Sequence, residues 1–415
     1  MVIMSRLPLP LLVLPLAALW VCSCSSEGGG SSETAADVAD LATLADGSGE
    51  SAEVLVDTAD AAVPQPPPKP GFCEPNDQEF PVRPALTESA TLPFLHVEGL
   101  DIVNENSEPV ALRGVNFGSW LMMGAWIAGI GVMDEGELLA ALDAKAEELG
   151  LSDLLADAKN SNLLEWVLEK RSHYPLVQEW RAYCLANAGN EQAAVEALWD
   201  WFAKQPWVFE EESLWLWLQG RFGYAAAEEL RLTFQQNYIT ELDVERVAAL
   251  GLNLIRVPVW FGSLETDFEE GNHYREEGWL MLHELGVWAR RHGVYLMIDL
   301  HGTPGGQSTS WHQGLADGGH LWGNPECIAK TVRLWQALAT YFAGDSHVAV
   351  YDLMNEPMSF PDADSYREVH DAIYQAIRPI DPDHIVMIED GNRPASQHVP
   401  PAAHGWHKAQ FSVHT

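Results

Sequence analysis

From Thr240 onward the chain repeats one unit: a helical stretch closed by a glycine or a turn, then a short run rich in apolar residues. Thr240 to Gly251 predicts a helix with Thr240 as N-cap, Asp243 at the third position of the first turn and Gly251 past its end. Leu252 to Val257 has strand length. Glu276 to Gly293 predicts a helix with a glycine stop, and Val294 to Ile298 is wholly apolar. Pro325 to Phe342 and Asp364 to Ile377 read as helices, and Val348 to Met354, Ile385 to Ile388 and Phe411 to His414 as strands. Strands buried on both faces lose the alternation of polar and apolar residues, because neither face meets water. Such strands alternating with helices at this spacing predict an α/β fold with a parallel sheet, open or closed.

Upstream, Leu112 to Phe117 suits a first strand of the same sheet. Leu100 to Asn104 and Pro109 to Leu112 predict a small hairpin turning at 105–108. The stretch at about 134–231 breaks the alternation: it is rich in Ala, Leu, Glu and Trp, and Pro175 and Pro206 divide it into at least three helices. It reads as a helical insertion after the first strand.

Polar residues gather where the strands end: Asn116, Arg256, Asp299 and His301, Asn355 and Glu356, Glu389 and Asp390, and His414. In a closed parallel barrel those ends carry the chemistry. The segments Arg113-Gly114-Val115-Asn116-Phe117-Gly118-Ser119-Trp120-Leu121, Ile255-Arg256-Val257-Pro258, Ile298-Asp299-Leu300-His301-Gly302 and Asn355-Glu356-Pro357 occur in this order. With Tyr238 to Asp243 and Leu300 to Gln307, the set resembles glycoside hydrolase family 5, and most of all its exo-β-1,3-glucanase branch.

That resemblance implies a (β/α)8 barrel and a retaining attack on β-linked sugars by two glutamates about 5–5.5 Å apart. It assigns Glu356 as acid/base. Asn355 would hydrogen-bond the sugar 2-OH, and Arg256 would keep a neighbouring nucleophile ionised. His301 and His414 would line the subsite where the bond breaks, with Asn116 also binding substrate. Asp299 reads as a structural hydrogen-bonder below the site. Trp311, Trp322 and Trp260 fall in strand-end loops, as sugar platforms or as packing. The 17 tryptophans suit either a sugar surface or a bulky helical core. This chemistry needs no metal and no organic cofactor.

Departures from the branch are equally specific. Its acidic residue after the first strand is replaced by Gly124, so β-1,3-glucan is preferred only somewhat over β-1,4-glucan or β-mannan. The resemblance puts the nucleophile on a seventh strand, which has no counterpart here; about six of eight strands are counted. An incomplete sequence, inactive by itself, is the expectation. Glu389 and Asp390 are set aside as substitute nucleophiles, since they end the strand next to that of Glu356. The alternative reading is a surface carbohydrate-binding protein without catalysis.

Residues 1–23 read as an export signal of lipoprotein type: Arg6 precedes an apolar run from Leu7 to Val21, shorter than the roughly 20 residues that span a bilayer. Val21-Cys22-Ser23-Cys24 resembles a lipobox with Cys24 as the acylated residue, with Cys22 as its rival, anchoring the protein to a bacterial cell surface or outer membrane. Residues 24–91, acidic and proline-rich, predict a disordered tether, and 92–415 the barrel. The formal charge of −37 excludes phosphate-backbone binding, hence nucleic acid. Of the five cysteines none forms a CxxC pair, and the sequence does not pair Cys73, Cys184 and Cys327.

Overall fold

The computed structural model describes residues 73–123, 135–159, 176–202, 211–266, 273–309, 311–315, 318–391 and 400–413. The apolar runs pair side by side as β1 (Gly114–Asn116), β2 (Leu254–Trp260), β3 (Tyr295–Gly302), β4 (Val348–Asp352), β5 (Ile385–Glu389) and β6 (Ala409–Ser412). They form one six-stranded sheet in chain order, every neighbour parallel. Flanking helices connect successive strands, the arrangement of consecutive β/α units of a (β/α)8 barrel. Register fixes which side chains share a level: Asn116 lies opposite Arg256, Asp299 opposite Asp352, and Ser412 opposite Glu389.

The helices form where capping and burial agree. Among the described residues, those of eight residues or more are, in chain order, α1 (Glu135–Glu148), α2 (Ser152–Lys159), α3 (Leu176–Asn187), α4 (Gln192–Phe202), α5 (Glu211–Phe222), α6 (Tyr224–Tyr238), α7 (Glu241–Ala249), α8 (Glu276–His292), α9 (Pro325–Phe342) and α10 (Ala363–Ile377). Thr240 and Asp243 cap α7 reciprocally, satisfying backbone donors that the first turn leaves unpaired. Gly293 ends α8 in the left-handed conformation at φ 65°. Leu282 and Leu285 of α8, Leu334 and Leu338 of α9, and Ile373 of α10 pack with Val257, Ile298 and Val386 of the sheet in one core.

Among the described residues the insertion holds six helices, in keeping with the expectation of at least three, with Pro175 and Pro206 outside the described residues. Helices α1 to α4 build their own core around Leu142, Leu155, Cys184, Val195 and Phe202. Leu214 and Trp215 of α5 instead join the core of the barrel.

Two expectations need correction. The expected turn at 105–108 forms, with the Asn104 N–H donating to the Glu108 carbonyl, the Val110 N–H to that of Ile102 and a bridge from Val103 to Pro109, but the regular ladder pairs His96–Glu98 with Asp101–Val103 and turns at Gly99 (φ 64°). Gly99 supplies the turn geometry. This hairpin covers the N-terminal ends of the strands, where Leu95, Tyr295, Val350, Ile385 and Met387 cluster.

The tether, expected to reach residue 91, gives way to packed chain by residue 73. Cys73 is disulfide-bonded to Cys327 of α9. Arg333 donates to the carbonyls of Asn76 and Gln78, Arg83 pairs with Asp345 at 2.6 Å, and the Thr91 N–H donates to His347 Nε2 at 2.9 Å. A polar strap held by a disulfide and backbone hydrogen bonds has no apolar signature, so composition misassigned it. Residues 1–72, including Cys24, lie outside the described residues.

Candidate active site

Strand pairing brings the polar tips of β1 to β5 around one guanidinium. Arg256 donates through Nε to Asp352 Oδ2 at 3.0 Å and through Nη1 to Asn116 Oδ1 at 3.3 Å. Its Nη2 donates to Asn355 Oδ1 at 3.0 Å and to Glu389 Oε1 at 2.8 Å. Nη1 also lies 3.0 Å from Asp299 Oδ2. Burial works against the arginine charge, yet the three carboxylates outweigh it and hold its pKa above the ordinary value. Asp352 moves the other way. Burial, reinforced by the charge on Glu389, pushes its carboxyl well above the usual range despite Arg256.

Asp299, Asp352 and Glu389 bring carboxylate oxygens within 4.8 Å of one another, a spacing that suits a divalent cation. Here the Arg256 guanidinium already contacts all three, supplying the positive charge the cluster needs. These donors fit an arginine rather than a metal.

His301 Nδ1 lies 2.7 Å from Asp299 Oδ2, a carboxylate that can only accept, so Nδ1 carries the proton. Asp299 is fully buried, in keeping with a structural role below the site. Asn355 follows β4 and is buried, its oxygen held by Arg256. Glu356 is next, with its side chain 37% exposed and its Oε2 3.7 Å from His312 Nε2. Its backbone sits at φ 40°, a left-handed conformation that costs a non-glycine residue about 1–3 kcal/mol. The Glu356 N–H donates to Glu389 Oε2 at 2.5 Å.

Three contributors were given no role from the sequence, although Gln307 closes the Leu300 to Gln307 segment of the resemblance. His312 sits on a one-turn helix after β3, and burial lowers its pKa while Glu356 opposes that shift. Gln307, fully buried, donates to the carbonyls of His301 and Asn355 at 2.7 and 2.8 Å, tying the tips of β3 and β4. Glu211 reaches from the insertion: its carboxylate accepts the Met123 N–H and, at 2.5 Å, the Trp215 indole N–H. The Glu212 N–H donates to the Gly314 carbonyl at 2.9 Å, so the start of α5 grips the loops after both β1 and β3.

The tryptophan expectations divide. Trp260 is buried, and Trp322 donates its indole N–H to the carbonyls of Gln307 and Met358 while packing on Phe360. Trp322 thereby braces the loops after β3 and β4. The Trp311 side chain, His414 and Gly124 lie outside the described residues.

Residues 222–415 match the family described as cellulase (glycosyl hydrolase family 5). A β-xylosidase of Phanerodontia chrysosporium is 31% identical over 186 residues, covering 44% of this chain and 38% of that protein. A probable glucan 1,3-β-glucosidase A of Neosartorya fischeri is 29% identical over 203 residues, covering 46% and 48%. The chain thus spans less than half the length of these relatives. Among solved structures, a β-glucanase from Saccharophagus degradans aligns at a TM-score of 0.42 and 14% identity, over 82% of this chain and 66% of that one. Residues 222–415, just under half of the chain, thus match glycoside hydrolase family 5, and the six parallel strands in chain order agree with that match.

Proposed function

We propose that this chain carries the acid/base side of a retaining β-glycosidase acting on glucan-type polysaccharides or oligosaccharides, β-1,3-glucan somewhat preferred. The observation that carries the reading is the convergence of Arg256, Asn355 and Glu356 at neighbouring strand tips, with His301 joined through Asp299. In this reading Glu356 protonates the leaving oxygen and later deprotonates water, and Asn355 binds the 2-OH. Exposure supports the choice of carboxyl: the Glu356 side chain is 37% exposed, whereas that of Glu389 is 2% exposed with both oxygens engaged. Several relatives are described as glucan 1,3-β-glucosidases, which supports the β-1,3 preference.

The same proposal includes export and a lipid anchor at Cys24. A disulfide between Cys73 and Cys327 suits an oxidising compartment, where such bonds persist.

Titration calorimetry with laminari- and cello-oligosaccharides tests the reading. Binding is expected, weakened at least about tenfold in Arg256→Ala and Asn355→Ala, the cost of removing one buried hydrogen-bonding group. Where cleavage accompanies binding, NMR reads the first anomer released: β supports retention and α overturns it. Binding without any cleavage favours the carbohydrate-binding alternative, and no binding to any β-glucan removes the proposal.

A further inference from the structure

We infer that Glu389 is a positioning residue that holds Asn355 and Glu356 in their working geometry, an inference that rests on the glycosidase reading above. Glu389 ends β5, one strand over from the Asn355-Glu356 pair, and is almost wholly buried. Its two oxygens do different work. Oε1 accepts from Arg256 Nη2, the same nitrogen that donates to Asn355 Oδ1, at 2.8 and 3.0 Å. Oε2 accepts the backbone N–H of Glu356 at 2.5 Å. One carboxylate thereby fixes the side chain of the first residue and the backbone of the second.

The backbone contact matters because Glu356 is at φ 40°, where a residue with a Cβ stays only if its surroundings hold it. The direction of the Cα–Cβ bond, and so the reach of the Glu356 carboxyl, follows from that conformation. Glu389 is itself held. Tyr366 of α10 donates its hydroxyl to the Glu389 carbonyl, and the neighbouring Asp390 N–H donates to Ser412 of β6. The chain of support runs from α10 and β6, through Glu389, to the acid/base residue on β4. Nothing in this arrangement leaves a Glu389 oxygen to attack an anomeric carbon, since both already face donors.

Glu389→Gln separates these roles, because the amide can accept at one position only and turns an N–H donor toward Arg256 or Glu356. Glu389→Asp keeps the charge but draws it back from both donors, and serves if the amide variant does not fold. Crystal structures of wild type and variant are compared first. The expected change is loss of the Arg256–Asn355 hydrogen bond or departure of Glu356 from positive φ; an unchanged Asn355-Glu356 geometry overturns the inference.

Kinetics on an aryl β-glucoside follow. Where the wild type turns the glucoside over, the expectation is a kcat lowered about 100-fold, as misplacement of a catalytic group by about 1 Å produces, with KM within about threefold; where it binds without turnover, the crystallographic comparison decides. Glu389→Ala is assayed with sodium azide. If azide displaces the aryl oxide at the anomeric carbon and yields an α-glycosyl azide, Glu389 is the nucleophile and the inference falls; no rescue supports positioning. Wild type that neither turns over nor binds β-glucosides removes the glycosidase reading instead, and the crystallographic comparison alone then decides whether Glu389 sets the Asn355-Glu356 geometry.

Discussion

Gln307 shows how much of the site depends on one uncharged side chain. Its Nε2 donates to the carbonyls of His301 and Asn355, and its Oε1 accepts from the Thr303 N–H and hydroxyl, both at 3.1 Å. Gln307→Ala strands all four groups in a place without solvent, and each unmet partner costs about 1–3 kcal/mol. Partial relaxation brings the expected loss to on the order of 3 kcal/mol, read from urea unfolding; a loss below about 1 kcal/mol would show that water replaces the amide. Arg256, Asn355 and Glu356 were legible in the sequence because each stands in a motif at a strand end, where a charged or amide residue after an apolar run demands explanation. Glu389 was legible as a strand-end acid but not in its role, which arises from the pairing of β4 with β5 and from the backbone angle at Glu356. His312 was illegible for the same reason: nothing local says that its loop folds back toward Glu356.

At the scale of elements, the helices with complete local signals were the ones read well. Pro325 opens α9 behind Asn324, whose side chain accepts from the N–H groups of Glu326 and Cys327, and the helix runs to Phe342 as expected. The hairpin expected with its turn at 105–108 forms, and what the sequence did not mark is the preceding strand, His96–Glu98, which pairs with Asp101–Val103 and packs on the same cluster as Val110. The docking of α5 had no local signal at all, and it carries a pH dependence. Burial raises the Glu211 carboxyl to about 7, against the opposing pull of the Trp215 and Met123 donors and of Arg231. A carboxyl raised in the folded state is protonated there while the unfolded chain, near its ordinary value of about 4.3, has already ionised. Its contribution is complete below that ordinary value and is lost as pH rises through about 7. The grip of the insertion on the loop after β1 therefore loosens on the alkaline side. The expected loss between pH 5 and 8 is on the order of 3 kcal/mol, read from urea unfolding across that range. Glu211→Gln should flatten that dependence; an equal slope in the variant would place the proton elsewhere.

For the whole molecule the decisive link is the one that composition hid. Cys73 and Cys327 are 254 residues apart in sequence, and their bond joins the strap to the start of α9. No spacing rule pairs them, because their closeness depends on the path of the entire barrel between them. The bond also lies against the site: a Cβ on Gly305 would come within 2.6 Å of the Cys327 sulfur and 3.1 Å of that of Cys73, so Gly305, at φ 74°, is the residue that fits there. Gly305 belongs to the same turn as Gln307, which joins the tips of β3 and β4. Reduction should therefore act twice. Releasing so long a loop lowers stability through the freedom regained by the unfolded chain, by on the order of 3–5 kcal/mol. It also removes the backing of the Gly305 turn, so oligosaccharide affinity should fall in the reduced protein at temperatures where it remains folded. Cys73→Ser with Cys327→Ser should reproduce both effects without reductant. Lower stability with unchanged affinity would restrict the bond to holding the strap, whose ion pair from Arg83 to Asp345 and hydrogen bond from Thr91 to His347 anchor it at the opposite end of the barrel.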